Sequence, residues 1–74
     1  MQVDVKLFAT LRDGRFKVKR TELVEPCRVI DVINRYKLPL KEVAICLVNG
    51  RDADSNYLLQ EGDTVSIFPP VGGG

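Results

Sequence analysis

The segment Val29-Ile30-Asp31-Val32-Ile33-Asn34-Arg35-Tyr36 changes the period of the chain. Val29, Val32, Ile33 and Tyr36 stand at i, i+3, i+4 and i+7, the apolar stripe of an amphipathic helix. Its start lacks a conventional cap, because Cys27 or Arg28 occupies the place where Ser or Thr is favoured. Asp31 in the first turn compensates through the helix dipole. Pro39 disfavours helical geometry in the residue before it, so the helix ends by Lys37 or Leu38.

The regular stretches on either side read as strands. Val3, Val5, Leu7 and Ala9 alternate with Gln2, Asp4, Lys6 and Phe8, which predicts a half-buried strand. Thr10-Leu11-Arg12-Asp13-Gly14 supplies a turn, with Asp-Gly suited to reversing the chain. Phe16 and Val18 then alternate with Lys17 and Lys19, predicting an antiparallel partner strand that Glu25-Pro26 ends. Beyond the helix, Val43-Ala44-Ile45-Cys46-Leu47-Val48 is a continuous apolar run, as expected of a strand that is central or covered on both faces. Asn49-Gly50 turns it, residues 52–56 form a polar loop, and Tyr57-Leu58-Leu59 packs back as a short strand or turn. Glu61-Gly62-Asp63 is a further turn, and Thr64-Val65-Ser66-Ile67-Phe68 is the last strand. One helix among these strands predicts an α+β, ubiquitin-like β-grasp fold: a mixed sheet of four to five strands under one main helix. The last strand is expected beside the first, mid-sheet.

At 74 residues the chain is one small domain, expected over residues 1–70, with a flexible glycine tail at 71–74. A chain this short buries only about 60% of its unfolded surface, which leaves little room for a catalytic cavity. The expectation is a carrier or binding module rather than an enzyme. A formal net charge of +1 gives no electrostatic reason to expect nucleic acid or an anionic membrane. The charge is uneven: residues 1–37 hold nine Lys/Arg and five Asp/Glu, against two and five in 38–74. That asymmetry reads either as steering of a partner or as ordinary solvated faces. No apolar run approaches a membrane span and no signal peptide opens the chain, so the expected compartment is cytoplasmic. Two cysteines and no histidine make neither a disulfide scaffold nor a metal site, and neither thiol has an imidazole to activate it. Cys46, inside the apolar run, reads as a small buried hydrophobe, whereas Cys27 has no assigned role.

The chain ends Phe68-Pro69-Pro70-Val71-Gly72-Gly73-Gly74. Pro69 and Pro70 favour an extended base, and six residue steps reach up to ~20 Å beyond Phe68. Glycines without a Cβ can thread a narrow channel in another protein. A phosphate-binding loop is excluded, since no Gly-Lys-Ser/Thr follows and no helix starts there. By composition alone, a functional tip and an unstructured terminus both remain open.

Two segments resemble the ubiquitin-like sulfur carriers, above all the small subunit of molybdopterin synthase. Leu7-Phe8-Ala9-Thr10-Leu11-Arg12 is similar to that family's first strand and turn. Leu59-Gln60-Glu61-Gly62-Asp63 through Phe68-Pro69-Pro70-Val71-Gly72-Gly73-Gly74 resembles its closing pattern, with Gly72 at a variable position and Gly73-Gly74 as the terminal pair. The resemblance implies that a ubiquitin-activating-type enzyme adenylates the Gly74 carboxylate with ATP and that a sulfur donor converts it to a thiocarboxylate. The large subunit of molybdopterin synthase, or an equivalent synthase, would receive the sulfur. The carrier would bind no cofactor or metal itself. Phe-Pro-Pro-Val favours the molybdopterin branch and the short length a thiamin-type or other metabolite carrier; conjugation to proteins and a plain interaction module without terminal chemistry are the other readings.

Gly73 and Gly74 are therefore the expected reacting residues. Phe8, Arg12, Phe68, Pro69, Pro70, Val71 and Gly72 are expected to bind partners. If the helix covers the Val5, Leu7 and Ile67 side, Phe8 and Phe68 lie on the other face, either as a docking patch or as a second small cluster. Arg12 beside them reads as a partner for an acidic group or as a solvated turn arginine.

Overall fold

Parity along the chain sorts the residues of each strand onto two faces, and the lone helix can cover only one of them. The computed structural model describes residues 1–70, and the expectations for Val71, Gly72, Gly73 and Gly74 lie outside the described residues. The elements are β1 (Gln2–Leu7), β2 (Val18–Glu22), α1 (Val29–Arg35), β3 (Ile45–Val48), β4 (Arg51–Asp52) and β5 (Thr64–Phe68). They form one five-stranded sheet of order β2-β1-β5-β3-β4. β5 runs parallel to β1 and antiparallel to β3, and so takes the middle of the sheet.

The core is the α1 face. Val3, Val5 and Leu7 of β1, Val65 and Ile67 of β5, and Val48 of β3 are buried beneath Val29, Val32 and Ile33 of α1, with Leu11, Leu38 and Leu59 closing the edges. The helix stripe is thus the predicted one, Tyr36 being half-buried at its end. The Arg28 N–H donates to the Asp31 carboxylate at 2.8 Å, while the Asp31 N–H donates to the Arg28 carbonyl at 2.9 Å. Asp31 therefore caps the helix by a direct hydrogen bond as well as by its charge. Beyond α1, which ends at Arg35, Lys37 adopts φ +54° and stops the helix ahead of Pro39.

Four expectations need correction. β1 stops at Leu7, and Ala9 is exposed at the start of a 3₁₀ turn, Ala9–Arg12, whose buried residue is Leu11. The second strand begins later than predicted: Phe16 precedes it, Val18 is exposed, and Thr21 is its single buried residue. An edge strand carries its hydrogen bonds whatever its hydropathy, so the Phe16/Val18 alternation misplaced it. The short strand is Arg51–Asp52, directly after the turn, whereas 57–59 contribute an isolated bridge from Leu58 to Arg28 and the core residue Leu59. Finally, β3 is interior to the sheet but not covered on both faces. Ile45 is exposed, and Cys46 and Leu47 are half-buried. The Asn49-Gly50 turn is as predicted, with φ of +54° and +83°.

Candidate functional site: the end of β5

β5 is gripped on both sides as it delivers the chain toward its terminus. The Phe8 N–H donates to the Ile67 carbonyl at 3.2 Å, and the Ala44 N–H donates to the Phe68 carbonyl at 2.9 Å. Pro69 and Pro70 have no N–H to continue the ladder, so the sheet ends where the tail begins. Pro69 is half-buried and Pro70 exposed.

Strand parity decides what surrounds that exit. With Val65 and Ile67 buried, Thr64, Ser66 and Phe68 face away from α1. The parallel register pairs Leu7 with Ile67, so Phe8 arrives beside Phe68 on the outward face. The two rings stack with centroids 4.2 Å apart and planes 11° from parallel. The two readings of these residues merge: each ring half-covers the other, and the stack as a whole faces outward.

Arg12 is drawn to the same place by the 3₁₀ turn, which Leu11 pins into the core. Its guanidinium carbon lies 5.4 Å from the Phe8 ring centroid, and its Nε donates to the Leu7 carbonyl at 2.8 Å. Arg12 is therefore held against the stack rather than free in a turn, and among the described residues its terminal nitrogens make no hydrogen bond.

Two further residues belong to this face. Ile45 pairs with Phe68, and Leu47 with Ser66, so both point the same way as Phe68. Ile45 remains 45% exposed. Sequence reasoning missed them because a continuous apolar run, read as central or covered on both faces, does not say which of its residues stay exposed. The available signal was parity with Phe68. Phe8, Phe68, Ile45 and Leu47 make an apolar patch beside the chain's exit from the sheet, edged by Arg12. Replacing both Phe68 and Ile45 by Ser should weaken binding to a protein that docks on this patch by roughly a hundredfold, judged by the weight of central apolar anchors. The check is calorimetry beside a thermal melt, which should show only a modest loss.

Neither thiol joins this site. Cys27 is buried and Cys46 half-buried. Burial pushes the Cys27 thiol up, reinforced by the nearby Asp31 charge, and burial alone raises Cys46. Both should therefore react slowly with iodoacetamide at neutral pH and rapidly once the chain is unfolded in urea. The linkage sign follows. A thiol whose pKa is raised on folding contributes its full stability below the unfolded value, ordinarily 9.0. That contribution is lost as pH rises through the folded pKa, because the unfolded thiol ionises first. Urea midpoints measured across pH 9.0 should fall, and less steeply in the Cys27→Ala, Cys46→Ala variant.

Among the described residues no cluster of three or more His, Cys, Asp or Glu is placed to hold a metal. No helix among them is long and apolar enough to cross a membrane.

Comparison with known proteins bears on what this arrangement serves. The model of the ThiS family matches residues 5–74. The chain belongs to the ThiS family. Within the ubiquitin-like sulfur carriers it is similar to a putative molybdopterin converting factor, subunit 1, from Pyrococcus furiosus, at 32% identity over 96% of this chain and 99% of that one, with a TM-score of 0.79. It is also similar to the small archaeal modifier protein 1 of Methanosarcina acetivorans, at 27% identity over 99% and 96% of the two chains, TM-score 0.72. A structure of the complex between subunits 1 and 2 of the Helicobacter pylori molybdopterin-converting factor matches at 25% identity over all of both chains, TM-score 0.68. No curated protein sequence matches the chain significantly. The predicted ubiquitin-like β-grasp fold is thus the observed one, and membership in this family makes the chain a small carrier rather than a catalyst in its own right.

Proposed function

We infer that this chain carries sulfur on the Gly74 carboxylate for molybdopterin synthesis, as the small subunit of a two-protein synthase. The observation that carries the reading is the base of the tail. β5 leaves the middle of the sheet at Phe68-Pro69-Pro70 beside an outward aromatic stack, so a partner that reads the patch is placed next to the emerging chain. The family model extends through Gly74, which supports Gly73-Gly74 as the reacting end.

A free carboxylate is a poor acyl donor. In the proposed sequence one oxygen of the Gly74 carboxylate bonds to the α-phosphorus of ATP on an adenylating enzyme, and pyrophosphate leaves. Sulfide supplied by the donor then attacks the acyl carbon and AMP leaves, giving the thiocarboxylate with no change of oxidation state, and its sulfur is a nucleophile at neutral pH. This chain would supply the carboxylate, the slim Gly73 and the docking residues Phe8, Arg12, Phe68, Pro69, Pro70, Val71 and Gly72. ATP would be held by the enzyme. The large-subunit partner is proposed from the Helicobacter pylori complex, in which subunit 1 is bound to subunit 2. Cytoplasm, where ATP is available, is the compartment this chemistry implies.

The test is intact-mass spectrometry of the protein taken from its native host, and again after incubation with ATP, a sulfur donor and the cognate activating enzyme. The expected result is a shift equal to exchange of one oxygen for sulfur, on a peptide containing Gly74. A chain that stays unmodified in both settings overturns the reading. Similarity to the archaeal modifier protein favours a second use of the same terminus, an isopeptide bond to lysines of other proteins. That use would appear in tryptic digests of the host proteome as lysines carrying the remnant 52–74, since Arg51 is the last basic residue before the terminus. Transfer to a synthase of another pathway, thiamin-type included, would identify a different recipient of the same thiocarboxylate.

A further inference from the structure

β2 is an edge strand, with no further described strand on its free side. The Leu7 N–H donates to the Lys17 carbonyl and the Leu23 N–H to the Met1 carbonyl. With the register running from Gln2↔Glu22 to Lys6↔Val18, the residues bonded into the sheet are Lys17, Lys19, Thr21 and Leu23. In an antiparallel ladder these alternate with residues whose backbone groups point the other way, here Val18, Arg20 and Glu22. Arg35 Nη1 donates to the Glu22 carbonyl at 3.1 Å. The N–H and C=O groups of Val18 and Arg20 face outward.

The α1 side of this edge is basic. Phe16 and Tyr36 meet edge to face with centroids 4.8 Å apart, and the Tyr36 hydroxyl is 2.6 Å from Thr21 Oγ1. The Lys19 ammonium sits 5.8 Å and 5.9 Å from the two ring centroids, and the Arg35 guanidinium 5.9 Å from that of Tyr36. Cation–π contact orients these charges without neutralising them. The ion pairs among the described residues are Met1–Glu22 and Arg20–Asp4. Lys17, Lys19 and Arg35 are exposed and pair with no described carboxylate.

We propose that this edge receives an extended, acidic segment of a partner protein, added as a further strand beside β2. Main-chain bonds go to Val18 and Arg20, and carboxylates meet Lys17, Lys19 and Arg35. A second copy of this chain is a poor occupant, because like-charged edges repel. β1 separates β2 from β5, so the edge is distinct from the Phe8–Phe68 face and a partner can hold the carrier here while the tail is engaged elsewhere. The proposal is independent of any sulfur chemistry.

The experiment titrates the full, ¹⁵N-labelled chain with a peptide of alternating Glu and Val, its Lys-for-Glu counterpart, and a short single-stranded RNA, each to about 1 mM. The expected result is acidic-peptide-specific shifts at Val18, Lys19, Arg20 and Tyr36, with slowed exchange of the Val18 and Arg20 amides. Raising the salt should weaken binding. Reversing both Lys17→Glu and Lys19→Glu should lower affinity roughly tenfold or more. If that double variant fails to fold, Arg35→Gln on the helix gives the same reading with a smaller loss. The proposal is overturned by no shifts with the acidic peptide, by shifts at Phe8 and Phe68 instead, by equal binding of the basic counterpart, or by RNA binding as tightly.

Discussion

Deleting Gly74, or appending one residue after it, should reduce sulfur transfer to background while leaving the melting temperature unchanged. The proposed reaction takes place at one carboxylate, and a single residue moves that group by about 3.5 Å along an extended chain. Reacting atoms must approach to about 3–3.5 Å, so a displacement of that size removes the productive geometry altogether. The core, by contrast, lies between Val3 and Ile67, and β5 is bonded on both sides before the tail begins. Gly73→Leu should have the same effect by blocking a narrow channel. Single-turnover transfer followed by mass spectrometry, beside a thermal melt, separates the outcomes. Retained transfer would sink the terminal mechanism, and a large fall in melting temperature would assign the tail a structural role instead.

Asp63→Ala should cost about 2–4 kcal/mol, enough to lower the melting temperature by roughly 10–20 °C in a domain of this size. Asp63 is buried at the start of β5 and accepts from the Gln60 N–H at 2.8 Å and from Asn49 Nδ2 at 2.9 Å. Asn49 in turn accepts from the Thr64 N–H at 2.9 Å through its side-chain oxygen. The Asp63 carbonyl takes the Asp4 N–H at 2.9 Å. One residue thus joins the first strand, the β3–β4 turn and the central strand. Alanine would leave two donors without acceptors, whereas Asp63→Asn keeps the shape and should lose less. Denaturation midpoints of the three proteins check the order. An alanine variant as stable as the parent would show that water replaces the carboxylate at no cost.

Most of the fold was legible because its period is local. The Val29, Val32, Ile33 and Tyr36 stripe needs a helix, and Val3, Val5 and Leu7 need a strand with one dry face, whatever lies opposite. Asn49-Gly50 and Gly62 mark turns because they accept the positive φ that those turns require. β2 was misplaced because its hydrogen bonds do not depend on side-chain hydropathy. Its single buried residue, Thr21, satisfies its hydroxyl with Tyr36 and leaves no apolar signature. Ile45 and Leu47 were missed for the opposite reason. An apolar residue reports that no charge is present, not that a neighbour covers it.

The resemblance drawn from Leu7–Arg12 and from the closing pattern picked out both halves of the site but not their relation. That Phe8 and Phe68 form one stack depends on a parallel pairing of β1 with β5 across nearly the whole chain. The cation over Phe8 depends on a 3₁₀ turn set by the burial of Leu11. By itself the sequence determined the helix and the strand parity, since each follows from neighbouring residues, and it offered the Gly73-Gly74 terminus as an expectation. The tertiary structure alone decided that Phe8, Arg12, Ile45, Leu47 and Phe68 share one face at the base of that terminus. Only sheet register brings residues so distant in the chain within a few ångströms.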